Sequence, residues 1–214
     1  MRILQLNLNH CAAAQDLLEQ TVFENNIDVA LLSEQYSQRS ESTWATDISG
    51  KAAIWSCKGQ PFISCSKDHN CYTWANIRGI YFVSCYAPPS VLIKGFEDFL
   101  LELALETRGK SPVIIAGDFN AWSTAWGSRH TNYRGRLLLE FLSQTNLTIM
   151  NSGTQNTFQK GNKGSIIDLM FANDALSRHI KWTVSDIFTN SDHMAIIANV
   201  SFSGETEPRS KGTC

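Results

Sequence analysis

The chain has 214 residues, 43% of them hydrophobic and 18% charged, and a formal net charge of -2. That length buries a real core in one large domain or two small ones. The near-balanced charge excludes a bulk basic footprint, so any nucleic-acid surface must be local, and no apolar run approaches the roughly 18 residues of a bilayer span.

In chain order, Met1-Arg2 leads straight into an alternating strand over Arg2 to Leu8, with no signal-peptide pattern. Ala12 to Glu24 carries an apolar helical face at Ala13, Leu17, Leu18 and Val22. Asp28 to Ser33 reads as a buried strand. Between Ala52 and Ala87, the short runs Ala53-Ile54-Trp55, Phe62-Ile63-Ser64, Tyr72-Thr73-Trp74 and Tyr81-Phe82-Val83-Ser84 read as one antiparallel meander. Pro88-Pro89 stops it, and Ser90 is placed to cap a helix running to about Thr107. Pro112 to Gly117 is the next strand, followed by a polar, Trp-bearing loop and a helix near Gly135 to Gln144. Strands at Leu147 to Met150, Ile166 to Phe171, Ile180 to Val184 and Met194 to Ser201 complete the set.

Alternating strands with few helices predict an α/β fold of two packed sheets covered by helices, not a doubly wound parallel sheet. Residues 1–202 show no repeat or linker and read as one domain, with polar 203–214 as a disordered tail or the start of a linker. The cysteines (Cys11, Cys57, Cys65, Cys71, Cys85 and Cys214) form no CxxC pair and no zinc array. They read as unpaired thiols, Cys65 and Cys85 as small buried hydrophobes, although their even count leaves pairing open.

The most informative segment is Gly117-Asp118-Phe119-Asn120, which closes the apolar run Val113-Ile114-Ile115-Ala116. A rigid strand ending in an acid and an amide aims polar groups into an open cleft. Three other clusters flank apolar runs in the same way: Asn7 and Asn9, Glu34, and Ser191-Asp192-His193. With Tyr86 and Asp168 they form the set that Mg²⁺-dependent phosphodiester cleavage needs. Mg²⁺ takes one or two carboxylates and keeps waters, an acid beside a His activates water, and amide or phenol donors hold phosphate oxygens.

Each residue also has a plain structural reading. Asn7 and Asn9 can end a strand and cap the next helix, Glu34 can be a solvated loop acid, and Tyr86 a core aromatic with a bonded hydroxyl. His193 can be a satisfied structural histidine. Asp168 resists such a reading, because an acid inside Ile166-Ile167-Asp168-Leu169-Met170-Phe171 needs a partner or a task. His10, His69, His130 and His179 lack such a setting and read as structural or solvated.

Taken in order, Asn7-Leu8-Asn9, Leu32-Ser33-Glu34, Cys85-Tyr86-Ala87-Pro88, Gly117-Asp118-Phe119-Asn120, Ile167-Asp168-Leu169 and Ser191-Asp192-His193 resemble the endonuclease/exonuclease/phosphatase superfamily, over about residues 2–202. The segments from Leu6 to Cys11, Ser33 to Tyr36 and Trp126 to Ser128 are similar to the endonuclease domains of insect non-LTR retrotransposons. The resemblance implies a four-layer α/β sandwich with these residues at one rim of the two sheets. It implies Glu34 as the main ligand of Mg²⁺, with Mn²⁺ as a substitute, Asn7 near metal and phosphate, and Asp192 as a further metal-side acid. Asp118 would position or deprotonate the attacking water, Asn120 and Tyr86 would contact the scissile phosphate, and Asp168 would hold the imidazole of His193 there. Asn9 stands where repair endonucleases carry Asp, brings no charge to a metal, and is counted among the DNA contacts.

Arg129, Arg134 and Arg136 follow the catalytic strand and suit phosphate clamping, or else a solvated start of a helix. The segment Lys160-Gly161-Asn162-Lys163-Gly164 reads as a hairpin tip. In the resembling domains this hairpin lies beside the DNA minor groove, which makes Thr157, Lys160, Asn162 and Lys163 candidate contacts. The resemblance implies a nuclear endonuclease that nicks one strand of chromosomal double-stranded DNA, with a reverse transcriptase downstream in the same polyprotein. The other readings are an apurinic/apyrimidinic repair endonuclease, a phosphatase for a small phosphorylated lipid or inositol, and a silent DNA-binding module.

Overall fold

In the computed structural model, which describes residues 1–39 and 41–201, two six-stranded sheets pack face to face. The expected tail at 203–214 lies outside the described residues. The first half of the chain supplies β1 (Arg2–Asn7), α1 (Ala12–Glu24), β2 (Val29–Ser33), β3 (Trp44–Thr46), β4 (Ala52–Ser56), β5 (Ser64–Ser66), β6 (Tyr72–Ile77), β7 (Ile80–Tyr86) and α2 (Ile93–Thr107). The second half supplies β8 (Val113–Asp118), α3 (Tyr133–Gln144), β9 (Leu147–Ile149), β10 (Phe158–Lys160), β11 (Lys163–Ser165), β12 (Asp168–Asn173), α4 (Asp174–Ser177), β13 (Ile180–Val184) and β14 (Ile196–Val200). One sheet has the order β13-β14-β1-β2-β4-β3 and the other β5-β6-β7-β8-β12-β9; β10 and β11 form a separate hairpin.

Between the sheets, Ile3, Leu31 and Ile54 meet Phe82, Ile114 and Met170. Outside the first sheet, α1 packs Leu18 and Val22 against Leu4, Leu6 and Leu32. Outside the second, α2 and α3 supply Phe96, Leu103, Leu138 and Phe141. Central strands covered on both faces become nearly continuous apolar runs, as in Val29–Ser33 and Val113–Asp118, where every residue is buried. The expected sandwich of two sheets between helices is the fold observed.

Local differences have physical reasons. Ala52 to Ala87 is not one meander: β4 pairs with β2 and β3, while β5, β6 and β7 belong to the opposite sheet. The chain crosses between sheets after Ser56, and period-two alternation does not reveal which sheet a strand joins. Helix α2 begins only at Ile93, with Leu92 as N-cap, so Ser90 does not cap it. Helix α3 begins at Tyr133, where Asn132 Oδ1 accepts from the Gly135 N–H at 2.8 Å. Cys11, Cys57, Cys65, Cys71 and Cys85 are free thiols; Cys85 is buried as expected, but Cys65 is exposed. Among the described residues no helix is long and apolar enough to cross a membrane.

Two parallel pairings position the site. Strand β1 runs beside β2 with Asn7 opposite Ser33, and β7 runs beside β8 with Tyr86 opposite Asp118. Antiparallel β12 starts at Asp168, also opposite Asp118. These strand ends therefore share one rim. Side chains pin the sheets together there: Ser33 Oγ donates to Cys85 O and Ser84 Oγ to Leu32 O, both at 3.0 Å, and Gln5 Nε2 donates to Gly117 O at 3.2 Å. Gly117 has no substitute, because a Cβ there would collide with the Cys85 carbonyl.

Candidate active site

The segment before β14 carries His193 into the rim, where it is 4% exposed. Its Nδ1 donates to Asp168 Oδ2 at 2.8 Å. Its Nε2 lies 3.9 Å from Asp192 Oδ1 and 4.0 Å from Asp118 Oδ2. Burial opposes the charged ring, but Asp168, then Asp118 and Asp192, outweigh it, and the His193 pKa is pushed up to about 9. The ring is an imidazolium at neutral pH. Asp168 is held from behind by Thr157, whose buried hydroxyl accepts from the N–H groups of Ile167 and Asp168 at 3.1 and 3.0 Å. Phe158 meets the His193 ring edge-on at 5.0 Å.

Asp118 is the second buried acid. Burial, then the charge of Asp168, raises its pKa to about 7 against the pull of His193. A carboxylate poised there accepts a proton near neutral pH. Its Oδ1 accepts from the Asn120 N–H, and its Oδ2 from Asn7 Nδ2, both at 3.0 Å. Asn7 Nδ2 also donates to Glu34 Oε2 at 3.1 Å, so one amide joins acids from both sheets. Asn7 Oδ1 is taken by the Asn9 N–H at 2.8 Å. With its oxygen accepting from Asn9 and its NH₂ turned to two acids, Asn7 braces the carboxylates beside which a cation would sit. Neither Asn7 nor Asn9 caps α1, whose N-cap is Cys11. Burial, then the neighbouring Glu34 carboxylate, raises the pKa of the Tyr86 hydroxyl, which stays protonated.

Backbone strain gathers here as well. Asn9, His10, Glu34 and Asn120 have φ of 49°, 49°, 50° and 48°. L-residues seldom adopt this region, and such residues concentrate where a ligand is held.

The donors suit a hard divalent cation. Asp192 Oδ1 is a buried carboxylate oxygen with no hydrogen-bond partner among the described residues. The His193 ring faces this oxygen only at 3.9 Å, beyond hydrogen-bond reach, which leaves its lone pairs open to a ligand. Glu34 adds a second partly buried carboxylate, 17% exposed. Asp118, Asp168 and His193 also bring ligand atoms within 4.8 Å of one another. Asp168 is already committed to His193 Nδ1, which leaves Glu34 and Asp192 as carboxylates that could hold a cation.

The expected DNA contacts divide. Arg129, Arg136, Lys160, Asn162, Lys163 and Asn9 are exposed, with Lys160 Nζ also 3.8 Å from Asp192 Oδ2. Arg134 is not: it is 7% exposed, and its guanidinium donates to the carbonyls of Ala87, Pro88 and Val91 at 3.1, 2.7 and 3.0 Å. It also lies 4.6 Å over the Phe96 ring. A phosphate-clamping role for Arg134 is therefore wrong; the side chain ties the loops after Tyr86 and Asp118 to α3. Thr157 is likewise withdrawn from DNA contact, since its hydroxyl serves the start of β12.

The hairpin closes through a two-residue Gly161-Asn162 loop, with Gly161 at φ 58°. Its base is bonded to the catalytic segment, Gln159 N–H to Asp192 O and Met194 N–H to Thr157 O, both at 2.8 Å. Between the hairpin and the loop from Trp122 to His130 lies a groove of about 820 Å³, lined by Trp122, Arg129, His130, Phe158, Asn162 and Lys163 among others. Phe158 touches both this groove and His193, so the groove ends at the catalytic rim.

Two residues escape the sequence reading. Ser191 Oγ donates to Asn7 O at 2.8 Å and accepts from the His193 N–H at 3.2 Å, fastening the His193 loop to β1. His10, set aside as structural or solvated, places Nε2 3.7 Å from Glu34 Oε1. Ser191 was visible only as part of Ser191-Asp192-His193. For His10 the sole signal was its place beside Asn9.

Comparison with known proteins agrees with this geometry. The family model described as endonuclease-reverse transcriptase matches residues 80–197, more than half of the chain. The fold is similar to the endonuclease domain of TRAS1, a telomere-specific non-LTR retrotransposon, at 27% identity and a TM-score of 0.78, covering 93% of this chain and 97% of that one. It is also similar to the 3′-5′ exonuclease NExo from Neisseria meningitidis (16% identity, TM-score 0.75, covering 94% and 100%). An AP endonuclease from Archaeoglobus fulgidus gives 16% identity and a TM-score of 0.73, again covering 94% and 100%. No curated protein matches the sequence.

Proposed function

We propose, from the premise that this chain belongs to the endonuclease-reverse transcriptase family, that it nicks one strand of double-stranded chromosomal DNA and leaves a 3′-hydroxyl primer for reverse transcription. Membership makes it a nuclease of the endonuclease/exonuclease/phosphatase type. The observation that carries the finer reading is the joining of Glu34 and Asp118 through Asn7, beside the His193–Asp168 pair and under an exposed basic hairpin.

In this reading the scissile phosphate lies against His193 Nε2–H, with the Tyr86 hydroxyl and Asn120 at its non-bridging oxygens. Asp118 takes a proton from the attacking water. The new oxygen–phosphorus bond forms as the bond to O3′ breaks, and the leaving oxygen takes a proton from solvent. The products are a 3′-hydroxyl and a 5′-phosphate. A divalent cation held by Glu34 and Asp192, which we take to be Mg²⁺ with Mn²⁺ as a substitute, supplies neutralisation of charge on the phosphoryl oxygens. Arg129, Arg136 and Lys163 would bind the DNA backbone. In this reading the working protein acts in the nucleus, joined to a reverse transcriptase as the family description suggests.

The test is nicking of supercoiled plasmid with and without Mg²⁺, followed by polymerase extension from the nick. Extension from nicks in intact DNA is the expected result. Cleavage confined to abasic duplex would make the protein a repair enzyme, and release of phosphate only from small phosphorylated lipids or inositols would make it a phosphatase.

A further inference from the structure

Among the groups the mechanism leaves unused, His10 is the one whose geometry asks for a ligand. It sits in an exposed turn in which Asn9 and His10 both have φ of 49°, and its N–H donates to Glu34 O at 2.9 Å. Its side chain is 50% exposed at the cleft edge, and Nδ1 lies 3.1 Å from the Gln35 carbonyl oxygen. A carbonyl only accepts, so Nδ1 carries the proton. In the neutral ring the lone pair is then on Nε2, the nitrogen 3.7 Å from Glu34 Oε1. Metal-binding histidines are usually built this way, one nitrogen fixed by a carbonyl and the other left free. Glu34 itself is held at φ 50°. Two strained turns thus present a carboxylate oxygen and a ring nitrogen to the same space.

We propose that His10 is an additional, nitrogen ligand of the divalent cation at Glu34, and that it tilts the site from Mg²⁺ toward first-row transition cations such as Mn²⁺ and Co²⁺. This rests on the reading of Glu34 as a metal residue. Mg²⁺ gains little from exchanging a water for imidazole, whereas affinity for transition cations rises with nitrogen ligation. His193 is set apart from this part by geometry, because its Nδ1 is bonded to Asp168 and its ring is buried between Asp168, Asp118 and Asp192.

The test is direct cation binding, read without activity. Spin-echo spectra of the Mn²⁺-loaded protein should show modulation from a coordinated ¹⁴N, lost in His10→Gln and kept in His193→Gln. Calorimetric titration should show His10→Gln weakening Mn²⁺ about tenfold or more, with Mg²⁺ changed far less. Absence of ¹⁴N modulation, its survival in His10→Gln, or equal losses for both cations would overturn the proposal. So would a variant that loses only DNA affinity, which would make His10 a phosphate contact. Thermal melts of His10→Gln, expected to match the parent without metal, separate ligation from folding. Wild-type plasmid nicking is scored separately: its failure with every cation sinks the nuclease reading, whereas failure of the spectra alone sinks only the role of His10.

Discussion

Arg134→Ala separates a brace from a DNA clamp. The substitution removes three short hydrogen bonds from one guanidinium to buried carbonyls at Ala87, Pro88 and Val91. Bonds from a charged donor contribute about 1.5–3 kcal/mol each, part of it offset because the guanidinium is no longer desolvated. A net loss of about 3 kcal/mol follows, and in a chain of this size that lowers the melting temperature by roughly 6–12 °C. Because these carbonyls belong to the loop after Tyr86, and the guanidinium also reaches Phe119 O after Asp118 at 3.4 Å, nicking should fall at temperatures where the fold is intact. Arg134→Lys should recover little, since an ammonium cannot span three carbonyls as a planar fork does. Thermal unfolding and the salt dependence of DNA affinity are measured on the same samples. The reasoning is refuted if the melting temperature barely moves while the salt slope drops by about one, which is the mark of a lost phosphate contact.

His193→Ala and Asp168→Ala should each cost about 10²-fold or more in nicking, and the double variant little beyond that, because the two act as a unit; additive losses in single-turnover assays would separate them. Glu34→Gln should abolish Mg²⁺-supported nicking while urea unfolding stays cooperative and DNA affinity holds or rises. Without metal, the melting temperature should fall steadily from pH 5 to pH 9. Asp118 raised to about 7 and His193 raised to about 9 both bind protons more tightly in the folded chain, so stability is greatest at low pH and is lost as each deprotonates; Asp168→Asn should flatten the part above pH 6.5. The hairpin loop is already two residues long and cannot be shortened, so target choice is tested with Asn162→Ala and Lys163→Ala, which should spread the cut positions on sequenced nicks, whereas Arg136→Ala should weaken binding on all sequences alike.

The strand-end acids were legible because each interrupts an apolar run whose burial is fixed by its neighbours. Asp118 and Asp168 needed no tertiary knowledge to look out of place. Their pairing across β8 and β12 was not legible, because α3 and three strands separate the two in the chain. Arg134 was misread because the loop carbonyls it serves lie more than forty residues earlier in sequence, and a helix-start arginine looks the same solvated or buried. The single meander failed because alternation reports only that one face is buried, and both sheets bury one against the other. His10 was invisible because its contact depends on two turns meeting, Asn9-His10 and Glu34-Gln35, and the apolar runs before them do not say that they meet.

The catalytic rim is a seam, with no sheet owning a complete site. Asn7 and Glu34 come from one sheet, and Tyr86, Asp118 and Asp168 from the other. Alignment at a seam is a matter of sliding, and an error of about 1 Å in placement costs on the order of 10²-fold in rate. Ser33, Ser84 and Gln5, which reach across from one sheet to backbone carbonyls of the other, therefore act as dowels. They never approach a phosphate, yet they set how well the acids that do are aimed. The outer helices are free to vary in detail, while a change at these inconspicuous polar pins would be felt at the scissile bond.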